Sequence, residues 1–288
     1  MTRWLASLRT TGRRSGLGVI MVAAAMVSFA LSAASPAGAE DAAGCQKPPA
    51  RETLDTQWPI NIGLLAQQLI VYRCTDYLKD FSAVTDKARA FIAQRVPEIE
   101  RPAVVFDIDE TSLSNWKELY HNQFGYVATG ACDLSDANEL CGQHAWELSA
   151  RGVALEPTLE LFRFLKTLKG KNGERVAAFF ITGRFESPAE RRATARNLRK
   201  VGYDGWTGLI LRPPSTKQED VAQFKSGARA AIEQRKEHYT IIANLGDQYS
   251  DLDGNAAGEH AERCFKLPNP FYFIPPGLPE TGLKCLAQ

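Results

Sequence analysis

The chain has no CxxC pair and no cluster of histidine with cysteine, which speaks against a zinc site. It has no internal repeat and no low-complexity tract, which excludes solenoids and long disordered regions. It lacks the glycine period of collagen and the heptads of a coiled coil. It also lacks a basic stripe. Arg3, Arg9, Arg13 and Arg14 are the only charges in the first 39 residues, so the remainder holds 30 of the 34 basic residues against 33 acidic ones, a net of −3. A mildly acidic chain is a poor binder of nucleic-acid polymers, so a charged substrate must be met by a local site. What is present is ordinary: 44% hydrophobic and 23% charged over 288 residues, enough for a sizeable core.

The N-terminal segment stands apart. Its arginines precede an apolar run from Leu17 to about Ala34, and Ala37-Gly38-Ala39 follows. A basic start, an apolar middle and an A-x-A end form a secretory signal layout over residues 1–39. That leaves 40–288 as one domain, secreted or periplasmic, with no stable membrane insertion after cleavage. An uncleaved anchor is the alternative, since the run is about long enough to span a bilayer; the Ala and Ser that dilute it favour cleavage. Arg13-Arg14 raises twin-arginine export, which its flanks match poorly. Ala42-Ala43-Gly44-Cys45 is a poor lipoprotein site, lacking the usual leucine and following Glu40 and Asp41. The six cysteines, an even number in an exported chain, suggest disulfides. Spacing favours Cys132 with Cys141 and Cys264 with Cys285, leaving Cys45 with Cys74; other pairings stay open.

Residues 40–56 read as a loose polar arm. Helical spacing follows over 61–78 and 83–95. Strands over 103–106, 176–181, 208–211, 239–245 and 264–267 then alternate with helices over 156–168, 188–201 and 220–236. Ser187 is the expected N-cap of the second of these, with Pro188 in its first turn. Such alternation implies βαβ units, and unbroken apolar strands imply a parallel sheet covered on both faces. Ligands of such sheets bind beyond the carboxyl ends of the strands. Residues 112–155 break the pattern and are expected to form a small cap inserted after the first strand. Trp116 and Trp146 are expected in its core, and His121 and His144 at its surface.

Four groups of polar residues fall at strand ends. Asp107-Ile108-Asp109-Glu110-Thr111 follows Val104-Val105-Phe106 directly. Two carboxylates where a buried strand meets solvent are costly unless a metal or partner holds them; one can attack phosphorus and the other move protons. A solvated acidic turn is the plainer reading. Thr182-Gly183-Arg184 follows the most apolar strand, where a hydroxyl and backbone amides could hold a phosphoryl oxygen. Arg184 is as much a structural ion pair as a phosphate contact. Lys225 could neutralise a phosphate, although an isolated helix lysine is ordinarily solvated. Asp247 and Asp251 are one helical turn apart and offer oxygen ligands that suit Mg²⁺.

In this order the four groups resemble the haloacid dehalogenase (HAD) superfamily of phosphatases. Val105-Phe106-Asp107-Ile108-Asp109-Glu110-Thr111, residues 205–213, Phe224-Lys225-Ser226 and residues 246–252 resemble its acid phosphatase branch, class B or subfamily IIIB. That branch includes bacterial exported acid phosphatases and plant vegetative-storage-like proteins. The resemblance implies a three-layer α/β/α Rossmann-like fold with a helical cap and a Mg²⁺-dependent acid phosphatase acting on small phosphate monoesters. It assigns Asp107 as nucleophile and Asp109 as general acid/base. Thr182, Gly183 and Lys225 would hold phosphate. Asp107, Asp247, Asp251 and the backbone carbonyl of Asp109 would hold the metal. A phosphotransferase, or a non-catalytic storage or surface-binding protein on the same fold, is the alternative. Oligomeric state is not legible.

Overall fold

The computed structural model describes residues 61–217, 220–253 and 260–273. The expected signal segment, the polar arm, Cys45 and Cys285 lie outside the described residues.

In chain order the elements are α1 (Ile62–Thr75), α2 (Tyr77–Arg95), β1 (Pro102–Phe106), β2 (Leu113–Ser114), α3 (Trp116–His121), α4 (Gln143–Ser149), β3 (Val153–Ala154) and α5 (Glu156–Leu165). They continue as β4 (Ala177–Phe185), α6 (Pro188–Lys200), β5 (Gly208–Arg212), α7 (Val221–Glu233), β6 (Thr240–Gly246), α8 (Tyr249–Leu252) and β7 (Arg263–Lys266). The first helix is capped by Asn61, whose side chain accepts from the amides of Gly63 and Leu64. The second begins six residues before its expected start and buries Tyr77, Phe81, Thr85, Ala88 and Ile92, one stripe at helical spacing. Ser187 caps α6 as expected, accepting from the amide of Glu190 at 3.0 Å.

Five strands form a parallel sheet in the order β5-β4-β1-β6-β7. The chain runs outward from β1 through β4 to β5, then returns to β6 on the other side of β1. That reversal is a topological switch point, where an open α/β sheet forms a crevice beyond its strand ends. Both faces are covered. Val104 and Phe106 face α2 and α5 in one cluster with Phe180 and Leu245; Ala103 and Val105 face α7 in another with Phe179 and Ile232. Two-sided burial explains why the strands read as unbroken apolar runs. Phe180 is fully buried, with its ring 5.8 Å from Phe106, 6.0 Å from Phe162 and 5.5 Å from Tyr203.

The sequence predicts the end of β4 at Ile181, but the strand continues to Phe185. Its register against β5 shifts between Thr182 and Phe185. The shift is a bulge, a device that re-aims side chains where a strand leaves the sheet.

The cap lies between β1 and α5, as expected. Its base is the antiparallel pair of β2 and β3, with Leu113 opposite Ala154. The Cys132–Cys141 disulfide forms as expected. Cys74 and Cys264 are also disulfide-bonded; their expected partners lie outside the described residues. Trp116 and Trp146 are buried, and Trp116 packs on Tyr120, Phe124 and Phe271. Glu118 is buried beside them and accepts from Asn122 Nδ2 at 2.7 Å.

Truncating Phe180 to Ala should cost about 3–5 kcal/mol, read from urea unfolding. Glu118 supplies a pH-dependent test. Burial pushes its carboxyl up to about 7, against the hydrogen bond from Asn122. A folded-state pKa above the unfolded value of 4.5 gives stability that is complete below 4.5 and is lost as pH rises through 7. Glu118→Gln should therefore gain stability over the wild type at pH 8, by up to about 3 kcal/mol, and gain little at pH 5. Thermal melts of both proteins at the two pH values measure this.

Candidate active site

The turn after β1 is held by its own backbone. The amides of Ser112 and Leu113 both donate to the carbonyl of Ile108 at 2.8 Å, and Ser112 Oγ donates to the carbonyl of Asp107 at 2.6 Å. Glu110 sits at φ 54°, the left-handed region that a non-glycine residue adopts only under constraint. The constraint is Asn115. Its amide donates to Glu110 Oε1 at 2.5 Å, and its Nδ2 to Glu110 Oε2 at 3.0 Å and to Asp109 Oδ1 at 2.8 Å. Its Oδ1 accepts from Trp146 Nε1 on α4 at 2.8 Å. One asparagine thus ties the turn to the cap.

Asp107 is buried at the mouth of the switch point, its amide donating to the carbonyl of Leu245 on β6. Lys225, buried on α7, donates to Asp107 Oδ1 at 2.6 Å and to Asp251 Oδ1 at 2.5 Å. Burial excludes the plainer reading of Lys225 as a solvated helix residue. Asp251 is not simply one turn along a helix from Asp247. It stands in the first turn of α8, where its Oδ2 accepts the Gln248 amide at 2.8 Å in a capping box. A Cβ on Gly246 would lie 2.3 Å from the Cβ of Asp251, so only glycine lets this turn close. Asp247 accepts from Thr111 Oγ1 at 2.8 Å, Gln248 Nε2 at 2.8 Å and Asn269 Nδ2 at 2.7 Å.

Asp109 faces the other way. Arg184, almost fully buried, donates through Nη2 to Oδ1 at 2.6 Å and through Nε to Oδ2 at 3.0 Å. Arg184 is therefore an ion-pair partner of Asp109. Thr182 Oγ1 lies 3.5 Å from Asp109 Oδ2 and accepts the Arg184 amide at 3.2 Å. Space is open around the α-carbon of Gly183. The bulge in β4 brings these three residues to the end of β1.

The neighbouring acids have opposite electrostatics. Burial, then the charge of Asp251, pushes Asp107 well above the usual carboxylate range, and Lys225 offsets only part of this. Burial also raises Asp109, but the charge and hydrogen bonds of Arg184, with Asn115, outweigh it and hold the carboxyl below its usual value. Burial and the charge of Asp251 push Asp247 up to about 6.

A family profile described as HAD superfamily, subfamily IIIB (Acid phosphatase) matches residues 39–275. The chain belongs to this family. It is 30% identical over 212 residues to acid phosphatase 1 of Solanum lycopersicum, covering 70% of this chain and 74% of that protein. It is 32% identical over 200 residues to the stem 28 kDa glycoprotein of Glycine max, covering 69% and 70%. The solved structure of the class C acid phosphatase from Bacillus anthracis shares the fold, with a TM-score of 0.51 at 19% identity over 72% of this chain and 86% of that one. As a member of the subfamily IIIB acid phosphatases, the chain is a phosphoric monoester hydrolase.

The acid phosphatase site has the donors for a divalent cation. Oxygens of Asp107, Asp247 and Asp251 lie within 4.8 Å of one another, all buried. One ammonium, that of Lys225, faces two of them, so the trio carries more negative charge than its described partners balance. Hard carboxylate oxygens with an uncompensated charge fit such an ion. Sequence reasoning named no role for Glu110, Asn115 or Asn269. Glu110 lies inside the motif with no spacing signal of its own, and Asn269 approaches from beyond β7.

Lys225→Met should leave Asp107 and Asp251 buried without their counter-charge. In metal-free buffer it should cost about 3–5 kcal/mol of unfolding free energy. Added divalent cation should restore part of that loss, read as a rise in melting temperature.

Proposed function

We propose that this phosphatase is exported, binds Mg²⁺ and hydrolyses small phosphate monoesters in two steps through an aspartyl phosphate on Asp107. The observation that carries this reading is the pair of acids after β1. Asp107 pairs with Lys225 beside two further carboxylates, and Asp109 stands two residues on in a different electrostatic setting.

In the first step Asp107 attacks phosphorus in line, forming the acyl-phosphate bond as the ester P–O bond breaks. Asp109 gives its proton to the leaving alkoxide, so it must be protonated at the outset; Arg184 opposes that form, so low pH is needed to populate it. In the second step Asp109, now the carboxylate that Arg184 favours, takes a proton from water as the water attacks phosphorus. The Asp107–phosphorus bond breaks and phosphate leaves. Thr182 Oγ1, the Gly183 amide and Lys225 Nζ hold the phosphoryl oxygens. Asp107, Asp247, Asp251 and the carbonyl of Asp109 would hold Mg²⁺, which when bound supplies charge neutralisation at the nucleophile and the phosphoryl group.

The signal-like residues 1–39 support export, as does similarity to a protein named a stem glycoprotein. No helix among the described residues is long and apolar enough to cross a membrane.

Asp107→Asn should abolish hydrolysis of an aryl phosphate while melting cooperatively. Asp109→Asn should lower kcat by about 10²–10⁴-fold. Chelator should remove activity and Mg²⁺ restore it. A folded Asp107→Asn protein with wild-type turnover would overturn the assignment.

A further inference from the structure

A second group of side chains converges outside the phosphate-transfer site. His144 and Glu147 lie one turn apart on α4 in the cap, and Glu190 lies in the first turn of α6. The Glu190 side chain is fully buried, 0% exposed, and its Oε2 has no hydrogen-bond partner. That oxygen points at His144 Nδ1, 3.4 Å away, and Glu147 Oε2 lies 4.0 Å from the same nitrogen. All three ligand atoms lie within 4.8 Å of one another. The opposite oxygens are already engaged. Glu147 Oε1 accepts from Gln143 Nε2 at 3.1 Å, and Glu190 Oε1 accepts from Thr194 Oγ1 at 3.2 Å and stands 3.8 Å from Arg184 Nη1. A buried carboxylate oxygen with no donor is costly, and a native structure retains one where something else is meant to meet it.

We propose that His144, Glu147 and Glu190 form a second metal site, separate from the Asp107–Asp247–Asp251 trio and taking a borderline transition-metal cation such as Zn²⁺. One imidazole and two carboxylates are a donor set that Zn²⁺ accepts, and three protein ligands leave a position for water. Mg²⁺ prefers an all-oxygen shell, so the imidazole discriminates against it. A tetrahedral ion with bonds of about 2.0–2.1 Å needs ligand atoms about 3.3 Å apart. The His144–Glu190 pair meets this already, and His144, 52% exposed, can turn to close the rest. Its exposure also gives the ion an entry path. Arg184 pairs with Asp109 and stands 3.8 Å from Glu190, so one guanidinium faces three carboxylates and leaves net negative charge for a cation. Burial raises both carboxyls, Glu147 to about 8, so cation binding at the geometrically assembled trio would release protons. An occupied site would pin the cap to α6 and draw on Glu190, a neighbour of the arginine that holds Asp109. It does not depend on what Asp107 does.

The test is calorimetric titration of Zn²⁺ into the full-length, metal-stripped protein in excess Mg²⁺, which occupies the carboxylate trio. The wild type should bind one further Zn²⁺. His144→Ala, an exposed change that leaves the fold intact, should weaken that binding by more than about tenfold, the loss that even an outer-shell partner carries. Glu147→Gln should do the same. His260→Ala, which removes another histidine paired with a glutamate, should leave it unchanged. No Zn²⁺ binding in excess Mg²⁺, or a His144→Ala titration matching the wild type, would overturn the proposal.

Discussion

The ammonium of Lys225, between Asp107 and Asp251, is the contact on which the C-terminal edge of the sheet depends. It joins three elements far apart in sequence: the end of β1, the middle of α7 and the first turn of α8. Each of these must be placed within hydrogen-bond distance for the buried charges to tolerate one another. The surrounding structure serves that placement. Arg229, one turn further along α7, donates to the carbonyls of Asp251 and Asp253, both at 2.6 Å. Asn244, within β6, donates to the carbonyl of Asp251 at 2.9 Å. Gly246 leaves the room that the Asp251 side chain fills.

The two acids after β1 belong to different networks. Asp107 looks toward β6 and α7, among carboxylates that raise it. Asp109 looks toward β4 and the cap, held by Arg184 and Asn115. Pushing two neighbouring carboxyls apart in pKa is how one site separates two chemical roles. In the proposed reaction a cation beside Asp107 would return it to the carboxylate that a nucleophile requires. The cap enters through Asn115, which bonds Asp109 and Trp146 together. A shift of α4 would therefore be felt at Asp109, with no direct contact between them needed.

Much of the fold was legible because parallel strands buried on both faces advertise themselves as apolar runs between helical stripes. The acids after β1, Thr182 and Asp247 were legible because each ends or follows such a run; Lys225, in the middle of α7, was legible only through the family resemblance. The extension of β4 was not, since a bulge depends on partner register and not on composition. The partners of Asp109 were not legible for a similar reason. Arg184 reads equally as a phosphate ligand or an ion pair until the bulge shows which way it points, and Asn115 is one polar residue among several in a segment without periodicity. The convergence of His144 and Glu147 with Glu190 joins the cap to a separate helix, so no local spacing announces it.

The central claim is that phosphate passes through Asp107 before it reaches water. The stereochemical course at phosphorus tests this most directly, using a phosphorothioate monoester made chiral with one ¹⁸O and hydrolysed in ¹⁷O-labelled water, so that the thiophosphate released is itself chiral. Two in-line displacements predict net retention of configuration. Net inversion would mean that water attacks the ester in a single step, and would contradict the account.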